Sequence, residues 1–326
     1  LFRSVAFTER NLILFAWGWV IGGTLIAIVG VVQYLTDWLA FLPQAVSPSS
    51  TFSNKNMAVQ SVVLVWPISL FLLFGHRIKP QFIWLLGLCM ALMLVYVFYT
   101  ATRAAWLSVP LQCLVTGAYL WFNRRNLSQW SHWNSTKSSA MVMALIIVLV
   151  MINFSNDGLM PFWQIASTEL ISIAETANNL QSARYQIWVV TWRMIQDHPW
   201  LGSGLGSFFH NISVEGYGTW YIRIFQRAHN DLLELIVELG VLGLVLFVGL
   251  LIVLLQAVVR ITRAIGVRDR WFYWMVLVGL SGSAVNMMFS FPYQTAVPLF
   301  LFGCYAGFLI KGSDPYNPAI RTLVLQ

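Results

Sequence analysis

An all-α, polytopic integral membrane helical bundle is the fold class this sequence predicts, and three observations carry it. Hydrophobic residues make up 58% of the 326 and charged residues only 10%, where a soluble chain carries about 25% charged. Mean hydropathy is +0.71. The apolar residues gather in eight runs, at about 12–33, 57–75, 81–101, 104–122, 139–155, 236–258, 271–289 and 294–310. Each is close to the roughly 17–25 residues that cross a hydrocarbon core of about 30 Å. The run 139–155 is at the short end and rests on its depth of hydrophobicity. The 16 Trp and 22 Phe suit interfacial belts and apolar cavities. Cys89, Cys113 and Cys304 lie in or beside apolar runs and read as buried small hydrophobes, not ligands or disulfides.

The net charge of +7 would suggest nucleic acid in a soluble chain. Here no nucleic-acid partner is expected, because the positions of the charges carry more information than their sum. With the first span starting in the cytoplasm, Lys55, Arg103, Arg184, Arg193, Arg223 and Arg227 fall outside, and the other 13 of 19 Lys and Arg fall inside, as the positive-inside rule requires. The acidic residues lean the other way. The sequence opens at Leu1 with neither Met nor a signal-peptide pattern, so further spans are expected in a full-length protein.

Three parts follow: spans in 1–155, an external loop region in 156–235, and spans with a cytoplasmic tail in 236–326. The 80-residue external segment is too long for an idle connector. Its start is polar, with Glu169 and Glu175 most simply solvated. Leu180, Ala183, Ile187, Val190 and Met194 then recur at helical spacing, predicting an amphipathic helix at the outer interface. Arg184, Trp188 and Thr191 form a neighbouring face, and Pro199 marks its end. Gly202, Gly204 and Gly206 alternate in a loop that serves either as a tight turn or as backbone donors to an anion. No strand precedes them, so a dinucleotide fingerprint is excluded.

Arg223 to Gly240 carries the densest chemistry. Asn230 is a good N-cap residue. Asp231 and Glu234 suit the first turns of a helix, where the dipole favours acids. Glu238 shares their face but lies too deep for that account, and His229 is not explained by it. An external histidine beside arginines suits one scheme. The cations hold a diphosphate and neutralise the leaving group. The histidine takes the proton of an attacking hydroxyl or orients that hydroxyl. Arg103, in a very short external turn, either snorkels to head groups or binds phosphate through its planar fork. The five histidines form no metal-ligand pattern, so no metal and no cofactor is expected. A lipid transporter would also want interfacial arginines, but no internal repeat symmetry is visible.

Several segments together resemble the O-antigen ligase/polymerase superfamily. Thr51-Phe52-Ser53-Asn54-Lys55-Asn56-Met57-Ala58 resembles its Phe- and Asn-containing entry to a span. Thr102-Arg103-Ala104-Ala105-Trp106-Leu107 resembles its S-R-x-x-W-L element, with Thr for Ser. Arg184, Trp188 and Pro199-x-x-Gly202-x-Gly204-x-Gly206-x-Phe208 resemble its R…W…P-x-x-G-x-G-x-G-x-F block. His229-Asn230 through Glu238 and Gly240 resembles its H-N-x-x-L-x-x-x-x-E-x-G signature, and Phe291-Pro292 fits the late F-P. The resemblance implies transfer of a glycan from undecaprenyl diphosphate to an acceptor hydroxyl at the periplasmic face of a bacterial inner membrane, without a metal. It implies that Arg103 and Arg184 hold the diphosphate and that His229 is catalytic. Lys55, Asn56, Arg223, Arg227 and Asn230 are then candidates for donor or acceptor contacts. Trp188, Gly202, Gly204, Gly206 and Glu238 are candidate supports. The acceptor is lipid A–core, a second lipid-linked glycan, or Ser/Thr of a protein, with ligation to lipid A–core preferred.

Overall fold

The computed structural model describes residues 9–36, 38–39, 41–42, 46–75, 78–126, 133–155, 158–159, 164, 167, 171, 183–213, 227–264 and 267–313. Glu169, Glu175, Leu180 and Arg223 lie outside these residues, and the side chain of Arg184 is likewise not described.

Eight apolar helices make the body of the molecule. They are α1 (Glu9–Leu35), α2 (Lys55–Gly75), α3 (Pro80–Tyr99), α4 (Arg103–Phe122), α5 (Ser135–Met151), α8 (Asp231–Ala264), α9 (Val267–Phe289) and α10 (Ala296–Gly312). Between α5 and α8 come a two-residue antiparallel hairpin (Phe154–Ser155 with Gly158–Leu159), α6 (Ala183–Asp197) and the short α7 (Phe208–Ser213). α1, α2, α3, α4, α8 and α9 are long and apolar enough to cross a membrane, and α5 and α10 are shorter apolar helices of 17 residues. The chain is a multi-pass membrane protein of all-α class.

α2 is the mast. In its apolar window 89% of residues are buried, against 17% in α8, which therefore stands at the rim. α2 packs on α1, α3, α4, α9 and α10. Its interior Pro67 has no N–H, which leaves the Val63 carbonyl without its helical partner. The Gln112 amide of α4 donates to that carbonyl at 2.9 Å and to Val278 of α9 at 3.0 Å, and accepts from Trp66 Nε1 at 2.6 Å. Tyr305 of α10 donates its hydroxyl to the Leu64 carbonyl at 2.8 Å. The Gln112 amide thus repairs the proline defect, since an unpaired backbone group inside a membrane costs several kcal/mol, and together with Tyr305 it fixes α4, α9 and α10 around α2.

Three sequence expectations shift. The span expected at 139–155 begins at Ser135, because Asn134 caps it by accepting the Lys137 N–H at 3.0 Å. The span expected at 236–258 begins at Asp231 and continues to Ala264 through a break at Gly240. Cys89 and Cys304 are buried, but Cys113 is exposed. It lies on the side of α4 that also exposes Leu114, where burial by lipid replaces burial by protein.

Candidate active site

α2, α4 and α8 begin at the same end of the bundle, and their first turns carry the residues that the sequence singled out. Asn54 caps α2 by accepting the Asn56 N–H at 2.9 Å, so Lys55 and Asn56 open that helix. Arg103 is the first residue of α4. Asn230 caps α8: its Oδ1 accepts from Leu232 N–H at 3.0 Å and Leu233 N–H at 3.1 Å, as its residue type predicts. Each helix start adds a partial positive charge and unpaired N–H groups to the same region.

Hydrogen bonds and ring contacts join these starts in one path. Thr102 donates its hydroxyl to Asn56 Oδ1 at 3.0 Å, tying the Arg103 turn to α2. One helical turn further along α2, Gln60 Nε2 donates to Ser290 Oγ at 2.7 Å. Phe291, the next residue, meets the His229 ring edge-on, with centroids 5.2 Å apart. On the other side of His229, the Ala228 carbonyl accepts from Trp188 Nε1 at 3.0 Å. Trp188 lies one turn after Arg184 on α6. The path therefore runs from Arg103 through Asn56, Gln60, Ser290 and Phe291 to His229, and on to the helix that bears Arg184.

His229 is held in the left-handed region, φ +53°. Such a backbone costs about 1–3 kcal/mol for a non-glycine residue and persists only where its surroundings impose it. The flanking residues impose it here. Ala228 is fully buried, and its N–H donates to Glu234 Oε2 at 3.0 Å. Asn230 is fixed by its cap and by donation of its Nδ2 to the Met288 carbonyl at 3.2 Å. Among the described residues, the other non-glycine positive φ values fall at Ser50 and Ala101. These flank the segments of Asn56 and Arg103. Gln33 holds Ser50 by two bonds, at 2.9 and 2.6 Å. A cavity of about 330 Å³ opens beside Ala101, lined by Gln33, Tyr34, Lys55 and Tyr99 among others.

The acidic face of α8 is buried. Glu234, 0% exposed, accepts from Arg227 Nη1 at 2.7 Å, and the same nitrogen lies 3.3 Å from Gln294 Oε1. Arg227 is thus engaged in an ion pair, with a third of its side chain exposed. Asp231 does more than complement the helix dipole. Its Oδ2 accepts the Tyr293 N–H at 3.0 Å and so holds the turn after Phe291. Glu238 is 2% exposed, and among the described residues its Oε1 has no hydrogen-bond partner.

The glycine loop meets α8 where that helix breaks. At Gly240 (φ +64°, ψ −161°) the N–H groups of Val241 and Leu242 leave the helix and donate to Pro199 O at 2.8 Å and Trp200 O at 3.2 Å. The freed carbonyls of Val237 and Glu238 accept from Ser203 N–H and Gly204 N–H, each at 2.9 Å. A Cβ on Gly240 would stand 2.3 Å from Trp200 backbone atoms, and one on Gly202 would stand 2.4 Å from the Glu238 carbonyl carbon. Of the two readings that the sequence allows, this geometry favours the tight turn. The Ser203 and Gly204 N–H groups are spent on α8 and do not cradle an anion. Gly202, Gly204 and Gly206 all have positive φ and form a clamp on the broken helix.

α6 packs on this assembly as its periodicity predicts. Ile187, Val190, Thr191 and Met194 are buried, and together with Phe208, Ala228 and Val237 the apolar ones form a second small core. Sequence reasoning missed Gln60, Ser290 and Thr102 as connectors. The signal was present: Gln60 is a polar residue inside an otherwise apolar span, which is rare without a partner. Among the described residues, no three of His, Cys, Asp and Glu gather as a metal cage.

This is a membrane protein whose candidate site joins a histidine to cation-bearing helix starts. Residues 88–248 match the family model described as O-antigen ligase, a stretch that contains Arg103, Arg184, the glycine loop, His229 and Glu238. That match supports the O-antigen ligase superfamily for this stretch of the chain, a family of glycosyltransferase-like enzymes. No curated protein matches it.

Proposed function

We propose that the protein transfers a glycan from undecaprenyl diphosphate to an acceptor hydroxyl at the periplasmic face of a bacterial inner membrane, with lipid A–core as the acceptor. The observation that supports this reading best is the convergence of three helix N-termini, bearing Lys55, Arg103 and the His229 turn, on one path of hydrogen bonds and a ring contact. Helix N-termini and arginines favour the doubly anionic diphosphate. Arg103, with Arg184 from α6, holds that group and stabilises its charge as the glycosidic bond to phosphate breaks. Lys55 borders the cavity beside the Arg103 turn, where it adds charge to the same anion. His229 accepts the proton of the acceptor hydroxyl, or orients that hydroxyl, as the new bond to the sugar forms. The donor carries its own activation energy in the diphosphate link, so no nucleotide is needed on that side of the membrane.

Asn230, Trp188 and Phe291 position His229, since each is bonded to or packed on the residues around it. Arg227 acts through Glu234: the ion pair fixes the carboxylate that holds Ala228. Arg223, four positions before Arg227 in the sequence, is a further candidate contact to the anion.

The test is reconstitution of the purified protein with lipid-linked glycan and three competing acceptors: lipid A–core, a second lipid-linked repeat unit, and a Ser/Thr-rich protein. Glycosylated lipid A–core and free undecaprenyl diphosphate are expected. Elongated lipid-linked glycan would make the protein a polymerase, and a glycosylated protein would make it an oligosaccharyltransferase. A donor left unconverted but moved across the bilayer would replace the transferase reading with a transporter.

A further inference from the structure

A groove between α1 and α3 lies at the end of the bundle opposite His229. Its volume is about 650 Å³. One wall is the α1 stripe Ile13, Trp17 and Ile21, and the other is Phe82 and Leu85 of α3. Among its lining residues, the polar ones are Thr24 and Lys79. Thr24 donates its hydroxyl to the Val20 carbonyl at 2.7 Å, so its hydrogen is already used within α1. Lys79 stands at the mouth, exposed. Arg10, also exposed, continues the α1 stripe one turn beyond Ile13. Among the described residues, neither cation forms an ion pair.

We infer that this groove binds one anionic phospholipid of the leaflet opposite the catalytic site, with an acyl chain along α1 and the head group between Arg10 and Lys79. Three features select that occupant. The stripe from Ile13 to Leu25 rises about 18 Å along α1, close to one leaflet, half of a hydrocarbon core of about 30 Å. Apart from Lys79 and the internally bonded Thr24, the lining is apolar, which suits an acyl chain and not a polar ligand. The two cations at the mouth match an anionic head group, each favouring it by roughly fivefold at a membrane surface. A zwitterionic lipid would gain the groove but not this attraction. Free snorkelling of the cations to bulk lipid would give charge attraction without a fixed stoichiometry.

The experiment is native mass spectrometry of the protein released from nanodiscs holding equal phosphatidylglycerol and phosphatidylcholine. Wild type is expected to retain one phosphatidylglycerol, preferred by about 25-fold. The R10Q/K79Q double variant, altered only at exposed positions, should lose that preference while still retaining one lipid of either kind. Leu85→Trp fills the groove from its rim, where Leu85 is 47% exposed, and should abolish retention of both. Equal retention of the two lipids by wild type, an undiminished preference in R10Q/K79Q, or wild-type retention in Leu85→Trp would each overturn the inference. Absence of any retained lipid would also overturn it. The readout needs no glycan donor, so its failure would leave the transferase reading standing.

Discussion

The clamp between the glycine loop and α8 makes a prediction that can be worked through in numbers. Gly240→Ala places a methyl 2.3 Å from the Trp200 carbonyl carbon and oxygen, at a backbone φ of +64°. The left-handed conformation alone costs about 1–2 kcal/mol for an L-residue. The contact is too short to survive, so loop and helix must separate. Separation breaks the bonds from Val241 and Leu242 to Pro199 and Trp200, each worth about 0.5–1.5 kcal/mol. The total is roughly 2–5 kcal/mol, and the loss is centred on residues 199–204. Gly202→Ala attacks the same interface from the other side, with its methyl 2.4 Å from the Glu238 carbonyl carbon. Once either methyl has parted the two backbones, the second has little left to break. The double variant should therefore be milder than the sum of the two singles by about 2 kcal/mol, within the range for directly contacting residues. Gly204→Ala and Gly206→Ala provide the control. Among the described residues nothing lies within 4 Å of either added Cβ, so only the backbone term of about 1–2 kcal/mol applies. Thermal unfolding in detergent and limited proteolysis across 199–206 would read both effects. Wild-type melting of Gly240→Ala, or strict additivity of Gly202→Ala with Gly240→Ala, would refute the clamp.

Three further predictions concern the path around His229. Arg227→Ala leaves the buried Glu234 carboxylate with only the Ala228 N–H. Because Arg227 is one-third exposed, the cost should lie between the exposed-pair and buried-pair ranges, about 2 kcal/mol by thermal unfolding; an unchanged melting temperature would rule the ion pair out as a support. Asn230→Ala removes the cap of α8 and the tie to Met288. It should cost about 1 kcal/mol and lower kcat without raising the donor KM, whereas a change in KM alone would make Asn230 a ligand contact. Arg103→Lys keeps the charge but loses the planar fork, so the donor KM should rise about tenfold or more. Equal donor use would mark Arg103 as an ordinary interfacial arginine.

Much of the fold is legible in the sequence because membrane burial writes itself in long apolar runs. Each of the eight runs corresponds to a helix, and the N-cap role of Asn230 follows from residue type alone. What the sequence hides are facts of contact. The motif glycines suggest either a turn or an anion loop, and only the bonds to Val237 and Glu238 decide between them. The alternation Gly202–Gly204–Gly206 and the distant Gly240 meet across about 40 residues of chain, a closeness that no local pattern encodes. Pro67 signals a helix defect, but not that Gln112 repairs it. His229 stands out by chemistry, whereas its left-handed backbone depends on Ala228, Asn230 and their partners. Asp231 looks like a simple helix-start acid until the Tyr293 N–H is found on its carboxylate.

The central claim is that His229 handles the acceptor proton in glycan transfer. The most direct measurement is single-turnover release of undecaprenyl diphosphate from a saturating lipid-linked glycan donor, comparing wild type with His229→Ala at matched thermal stability. Loss of a positioned acid–base group predicts a rate lower by roughly 10²–10⁴-fold with donor binding retained. Transfer by the folded variant at the wild-type rate would contradict the account.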